Sequence, residues 1–365
     1  MDYRVKYYGK KASPNLYSSF VLGGDIGGTN TNFGIMGIRD GKPVLLFSLH
    51  FETRRLKSVI PAVKSAVNYA KQNYAITVED ACIGAAGPVS PGNDFCQPTN
   101  VKWSIDAREV LKKTPLKSLF LINDFGAIGY GINLLDHKDP KAVLAARAAK
   151  KAPPAEATRA VMGAGTGLGK AILVYKDAYG IHVPIPSEGG HADFPVYDED
   201  ELRLIEFVKK HQKLKAPASY ENVLSGRGIE SIYAFLKGSG RFAETECSRQ
   251  IDKAKEKTPL ITKNRAKDEL CRETFKLFTR FYARCAKNFV LDSLATGGLY
   301  VAGGIAARAR EVFQTKEFLD EFENANRQRD VLKDTPIYIV ADYNVSLYGA
   351  GLAAVKRRDL AIRGD

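Results

Sequence analysis

From Phe20 onward the chain alternates short apolar runs with glycine-rich breaks. Phe20-Val21-Leu22 leads into Gly23-Gly24-Asp25-Ile26, the stretch Gly27-Gly28-Thr29-Asn30 interrupts the run, and Phe33-Gly34-Ile35-Met36 resumes it. Asp40-Gly41 is a strong hairpin turn, so Val44 to Phe51 reads as a third strand. Val59 to Tyr74 carries apolar residues at helical spacing. Ala81 to Ala86 and Leu119 to Ile122 read as short buried strands, the second ending at Asn123-Asp124.

The same order returns further on. Ala160-Val161-Met162 precedes the turn Gly163-Ala164-Gly165-Thr166-Gly167, Ala171 to Tyr175 follows, and a turn at Asp177 to Gly180 leads to Ile181-His182-Val183. Helices are expected over Glu201–Lys213 and Asp268–Ala295, the latter stopping at Gly297-Gly298, glycine being the usual C-cap residue. Leu299 to Ala302 reads as a buried strand, turned at Gly303-Gly304 into a helix near Ala306. The repetition is of structure rather than of sequence, and it implies two α/β lobes of similar plan facing a cleft. The expected division is an N-terminal basic arm at 1–19, a small lobe at 20–133 completed by 346–365, and a large lobe at 134–345. The stretch 136–158, rich in Ala, Lys and Pro, reads as an exposed, partly helical excursion near the boundary.

Composition narrows the picture. At 365 residues and 45% hydrophobic, the chain can build two large cores. No run approaches the roughly 18 apolar residues of a membrane span, and Met1 to Phe20 has no apolar signal core, so a cytoplasmic protein is expected. Five scattered cysteines with no C-x-x-C spacing point to reduced thiols, and away from a disulfide framework or structural zinc. The net charge of +13 is spread along the chain without a nucleic-acid motif. It is read as a basic surface that favours a polyanionic ligand such as a nucleotide, not a specific nucleic-acid binder.

Gly27-Gly28-Thr29 and Gly165-Thr166-Gly167 both have the character of phosphate-binding turns. Glycine lets the backbone approach an anion and present successive N–H groups, and threonine adds a hydroxyl donor. Two common alternatives fail on spacing. A P-loop ending at Gly169-Lys170 needs glycine where Ala164 stands and Ser or Thr where Ala171 stands. A dinucleotide fingerprint starting at Gly163 or Gly165 needs glycine where Leu168 or Lys170 stands. Both of those turns also run from strand into helix, whereas each turn here joins two strands. One glycine hairpin is ordinarily only a hairpin; two, each with threonine and at equivalent places in two lobes, are harder to dismiss.

On these motifs the chain resembles the hexokinase–actin–Hsp70 superfamily. Gly24-Asp25-Ile26-Gly27-Gly28-Thr29-Asn30 is similar to its first phosphate motif, Gly163 to Gly169 to its second, and Ala302-Gly303-Gly304-Ile305 to its adenosine-side motif. Within it the chain most resembles the bacterial glucokinases, from about Phe20 to the end. The resemblance implies two RNase H-like lobes with a ligand cleft between them. It also implies MgATP held by Asp25, Gly27, Gly28, Thr29, Asn30, Gly165, Thr166, Gly167, Gly303 and Gly304, with Asp25 orienting Mg²⁺ through water.

The sugar segments follow from the same resemblance. Asp124 closes a buried strand where a kinase acting on an alcohol needs a proton acceptor, although Asn-Asp after a strand is by itself more often a turn or helix cap. The family pattern makes Asp124 the base and Asn123 a hydroxyl ligand. It carries Glu188 and His191 over from Pro186-Ser187-Glu188-Gly189-Gly190-His191, Glu221 from Tyr220 to Gly226, and Asn100 from Thr99 to Trp103. Paired donors and acceptors on a glycine-flexed loop suit a polyol. No cysteine cluster follows His191, unlike the zinc-binding members of the related ROK group, so zinc is not expected. The expected protein is thus an ATP-dependent kinase acting on the 6-hydroxyl of glucose, with a homodimer implied by the resemblance. A kinase for mannose, glucosamine or an N-acetylhexosamine, a donor such as ADP or polyphosphate, and a non-catalytic actin/Hsp70-type module stay open at this point.

Overall fold

The computed structural model describes residues 2–8, 14–99, 101–149 and 151–363. The chain divides into two compact units: Met1–Asp136 with Tyr175–Pro186 and Asp342–Asp365, and His137–Val174 with Ser187–Ala341.

The first unit is built on a six-stranded sheet of order β1-β4-β3-β2-β5-β8. Its strands are β1 (Arg4–Tyr7), β2 (Ser19–Ile26), β3 (Asn30–Arg39), β4 (Lys42–Glu52), β5 (Asp80–Ala85) and β8 (Ser118–Asn123); a small pair, β6 (Phe95–Cys96) and β7 (Ile105–Asp106), stands apart. β2, β3 and β4 form the expected antiparallel meander, while β5 and β8 run parallel to β2. The expected basic arm thus supplies β1, which lies antiparallel to β4 at the sheet edge. One face is covered by α1 (Ile60–Tyr74) and α2 (Ala107–Lys113), and the other by α3 (Asp124–Ile132) and α13 (Val345–Arg363). Leu22, Phe33, Phe47 and Ile83 are fully buried there, each such side chain stabilising the fold by roughly 1.5–3 kcal/mol.

The second unit is organised on strands in the order β11-β10-β13-β14-β9. They are β9 (Val143–Arg147), β10 (Arg159–Ala164), β11 (Leu168–Lys176), β13 (Gly298–Ala302) and β14 (Ile337–Val340), while β12 (Ile181–Ser187) falls in the first unit up to Pro186. β13 pairs parallel with β10 and β14. The helices are α4 (Glu199–His211), α5 (Tyr220–Val223), α6 (Gly226–Gly238), α7 (Glu246–Lys253), α8 (Thr258–Asn264), α9 (Glu269–Ser293), α10 (Gly303–Arg308), α11 (Lys316–Phe322) and α12 (Arg329–Asp334). The long α9 buries Phe275, Phe278, Phe281, Tyr282 and Phe289 in the core of this unit.

Two local expectations are corrected. The stretch expected to be partly helical contains an edge strand, β9, antiparallel to β14. The end of α9 is not made by Gly297-Gly298: Leu294 takes the left-handed conformation (φ 46°), its N–H donating to Val290 and Leu291 carbonyls.

Candidate active site

In the first unit, the candidate residues lie at the carboxyl ends of the parallel strands, where α/β sheets characteristically bind ligands. Asp25 and Ile26 end β2, Ala85 ends β5, and Asn123 ends β8, with Ile26 opposite Ala85 and Ala85 opposite Asn123. The turn after β2 is closed by Gly27 N–H donating to Asn30 O at 2.9 Å, and Gly28, Thr29 and Asn30 are exposed. A residue that the sequence did not flag holds this turn from beneath. Buried Thr53 donates its hydroxyl to Gly27 O at 2.8 Å and its N–H to Thr29 O at 2.9 Å. Nothing local marks it, because it is 26 residues from the glycine it supports.

Asp25 is held by side-chain hydrogen bonds from Ser346 and Asn32; burial, the larger influence, pushes its carboxyl above the ordinary value of 3.8. Asn32 Oδ1 beside it is buried and has no hydrogen-bond partner. A carboxylate costly to ionise, next to an orphaned amide oxygen, is an all-oxygen donor set that fits a hydrated Mg²⁺.

Asn123 is the N-cap of α3: its Oδ1 accepts from Phe125 N at 2.8 Å and Gly126 N at 3.4 Å, while Nδ2 reaches Gly87 O at 3.4 Å. The capping role weighed from the sequence is therefore present, and it fixes the residue beside it. Asp124 opens the helix, half-buried, its Oδ1 accepting from Phe125 N at 2.9 Å. Gly87 (φ 134°) was not singled out either; its loop is tied down by Thr99 N–H donating to Ala86 O at 2.9 Å. Asn100, expected near the sugar, lies outside the described residues.

In the second unit three separate motifs meet at Gly167–Leu168. The turn itself is closed by Gly165 N–H donating to Gly167 O at 2.8 Å. Glu221, at the start of α5, accepts from Leu168 N through Oε2 at 3.0 Å; a Cβ on Gly167 would sit 2.4 Å from that oxygen. Gly190 packs so closely that a Cβ there would lie 2.0 Å from Leu168 O. The loop bearing Glu188 and His191 is joined to the Glu221 segment by Tyr220 N–H to Ala192 O and Phe194 N–H to Ala218 O, both 2.9 Å. Glu188 and His191 are exposed, with Oε2 and Nε2 3.8 Å apart. Gly226 N–H donates to Gly165 O at 2.9 Å, which roots the same turn in the first turn of α6. Gly303 (φ 89°) begins α10 against Ala164, whose O would lie 2.8 Å from an added Cβ. Gly304 follows in that first turn.

Lys170 is a further residue to which the sequence gave no role. It is buried, its Nζ lying 4.8 Å from the centroid of Tyr220 and 5.1 Å from that of Phe289. A Cβ on Gly189 would sit 3.7 Å from that nitrogen, so a fixed cation stands beneath the Glu188–His191 loop.

Known proteins resemble most of the chain. The glucokinase from Balamuthia mandrillaris in complex with glucose superposes with a TM-score of 0.76 at 23% identity, covering 93% of this chain and 94% of that one. A ROK family glucokinase from Streptomyces griseus in complex with glucose and AMPPNP gives 0.63 at 17% identity, over 92% and 99%. These likenesses, with the paired glycine hairpins, define the two-unit hexokinase/actin-like fold used by sugar kinases. In sequence, glucokinase from Nostoc sp. is 32% identical over 353 residues, 93% of this chain and 99% of that protein. The profile of the family described as Glucokinase matches residues 22–357. The chain belongs to the glucokinase family.

Proposed function

We propose that the protein transfers the γ-phosphoryl group of ATP to the 6-hydroxyl of glucose, with Asp124 as general base. The observation that carries this reading is the meeting of Glu221, the Glu188–His191 loop and the Gly165–Gly167 turn on Gly167–Leu168. A polyol-binding carboxylate and a phosphate-binding turn share one backbone there, so placing one places the other.

On this reading Asn123, Asp124, Glu188, His191 and Glu221 take the sugar hydroxyls. Asn100 belongs to the same set by family pattern. The N–H groups at Gly27, Gly28, Gly165 and Gly167, with the Thr29 and Thr166 hydroxyls, receive charge growing on the transferred group. Asn30 shapes the first turn through its carbonyl. Gly303 and Gly304 leave room for adenosine. Mg²⁺, when bound with ATP, neutralises phosphate charge, and Asp25 would hold it through water. Asp124 accepts the proton that the 6-hydroxyl releases. The fixed start of α3, capped by Asn123, keeps that carboxylate in one place, and positioning of this kind supplies much of a phosphoryl-transfer rate. The family pattern further implies a homodimer, which light scattering on the purified protein tests.

Chromatographic measurement of the sugar phosphate formed from glucose, mannose, glucosamine or N-acetylglucosamine, with ATP or polyphosphate as donor, tests this function. Glucose with ATP is expected to give the highest kcat/KM. A higher value for an amino sugar would reassign the acceptor, and no turnover with any sugar would remove the kinase reading.

A further inference from the structure

A second group of reactive side chains lies in the second unit, where α7 and α9 begin side by side. Thr245 caps α7, its Oγ1 accepting from Ser248 N at 3.0 Å, and Asp268 caps α9, its Oδ1 accepting from Cys271 N at 3.0 Å. The caps are tied together by Thr245 Oγ1–H donating to Asp268 Oδ2 at 2.8 Å. Because Cys247 and Cys271 follow these caps by two and three residues, both thiols are delivered to the same place. Cys247 Sγ, Cys271 Sγ and an Asp268 carboxylate oxygen all lie within 4.8 Å of one another. Cys271 is fully buried, Asp268 is 6% exposed and Cys247 is half-buried, so the group opens to solvent at Cys247.

A buried polar side chain lies near the same group. Tyr233 of α6 is 2% exposed, and its hydroxyl has no hydrogen-bond partner. Burial pushes this phenol up, and the charges that add to the effect are those of Cys271, Asp252, Asp268 and Cys247. Buried hydroxyls without partners are rare in folded proteins, and this one lies near enough to Cys271, Asp268 and Cys247 for their charges to reach it. A divalent cation bound there would replace two thiol protons, which leave to solvent, with a charge that thiolates and a carboxylate bind directly.

We propose that Cys247, Cys271 and one oxygen of Asp268 form a binding site for a thiophilic divalent cation of the zinc–cadmium class, with a water at the fourth position. Two sulfurs and two oxygens suit the tetrahedral preference and the soft-ligand selectivity of such an ion. The site would join the starts of α7 and α9 and is separate from the residues assigned to phosphoryl transfer.

The test uses the full-length protein, stripped with a chelator and kept reduced by a phosphine, titrated with Cd²⁺ and, in a separate sample, with Zn²⁺. One equivalent of Cd²⁺ is expected to raise a thiolate-to-metal charge-transfer band, and Zn²⁺ to raise Tm by mass action. Cys247→Ser and Cys271→Ser should each abolish the band and the Tm shift. Cys247 lies at the rim, so its variant carries the test even if Cys271→Ser fails to fold. No band in the wild-type protein, or a Zn²⁺ shift that persists in Cys247→Ser, would overturn the proposal.

Discussion

At the scale of single residues, the two carboxylates with the clearest surroundings make opposite kinds of prediction. Asp25 has a raised carboxyl, so the folded protein holds that proton more tightly than the unfolded chain. Its contribution therefore falls as pH rises between 3.8 and the raised value, and above both the buried charge remains a cost. Asp25→Asn is expected to leave the unliganded protein at least as stable at neutral pH. The same change should lower kcat/KM for MgATP by about tenfold or more, the scale of losing a partner of a metal's water shell. Thermal melts and steady-state kinetics on one preparation check both halves. Glu221 differs, because its Oε2 satisfies the N–H of buried Leu168. Glu221→Gln keeps an acceptor there and should fold normally while raising the KM for glucose. Glu221→Ala orphans the N–H and should also lose stability, by about 1–3 kcal/mol. Equal urea midpoints for the two variants would show that the bond to Leu168 does not matter. Residues of this kind divide sharply in how readable they were. Asp124 and Glu221 are reached through the resemblance to glucokinases, since the residues alone read as a turn or helix cap and a helix-terminus residue. Thr53 and Lys170 act on partners far along the chain, and no local pattern reports such a pairing.

At the scale of elements, the helix that carries Asp124 is positioned by small residues. A Cβ on Gly349 of α13 would lie 1.7 Å from Ala127 O of α3, and one on Gly131 would lie 2.0 Å from Val345 O. The two helices therefore cross nearly backbone to backbone. Gly349→Ala should force them apart, costing about 1–3 kcal/mol as overpacking typically does, with kcat falling because Asp124 moves. A urea titration and an assay at saturating glucose read the two effects; unchanged values would mean that α13 does not position α3. The strands and hairpins here were legible because glycine turns and unbroken apolar runs bound them. The β9 strand was not, since Val143-Leu144-Ala145-Ala146-Arg147 has helix-favouring residues and becomes extended only by pairing with β14. The end of α9 was misplaced for a related reason. Glycine is the residue that adopts the left-handed conformation most cheaply, yet Leu294 takes it while Ala295 N–H bonds back to Val290 O at 3.1 Å.

At the scale of the whole molecule, the division into units departs from a simple cut along the chain. The first unit draws on three separate segments, among them Tyr175–Pro186 and the closing helix α13. The expected division has 346–365 complete the small lobe, but it places Tyr175–Pro186 in the large one, because that segment has no pattern of its own that assigns it to a unit. The thiols follow the same rule: Cys247 and Cys271 are 24 positions apart, show no metal-ligand spacing, and meet only because two capped helix starts adjoin. Ligand binding should be visible in global stability. Glucose with a non-hydrolysable ATP analogue and Mg²⁺ is expected to raise Tm by more than either ligand alone, since each saturating ligand adds about 2.7 kcal/mol at a hundredfold excess over Kd. A shift with nucleotide but none with any sugar would reassign the Glu188, His191 and Glu221 residues. The most direct test is glucose phosphorylation by wild-type protein and by Asp124→Ala under saturating MgATP. The account expects robust wild-type turnover with glucose and a loss of kcat of about 10²–10⁴-fold in the variant at an unchanged Tm. A variant that keeps more than about a tenth of wild-type kcat would contradict Asp124 as the base.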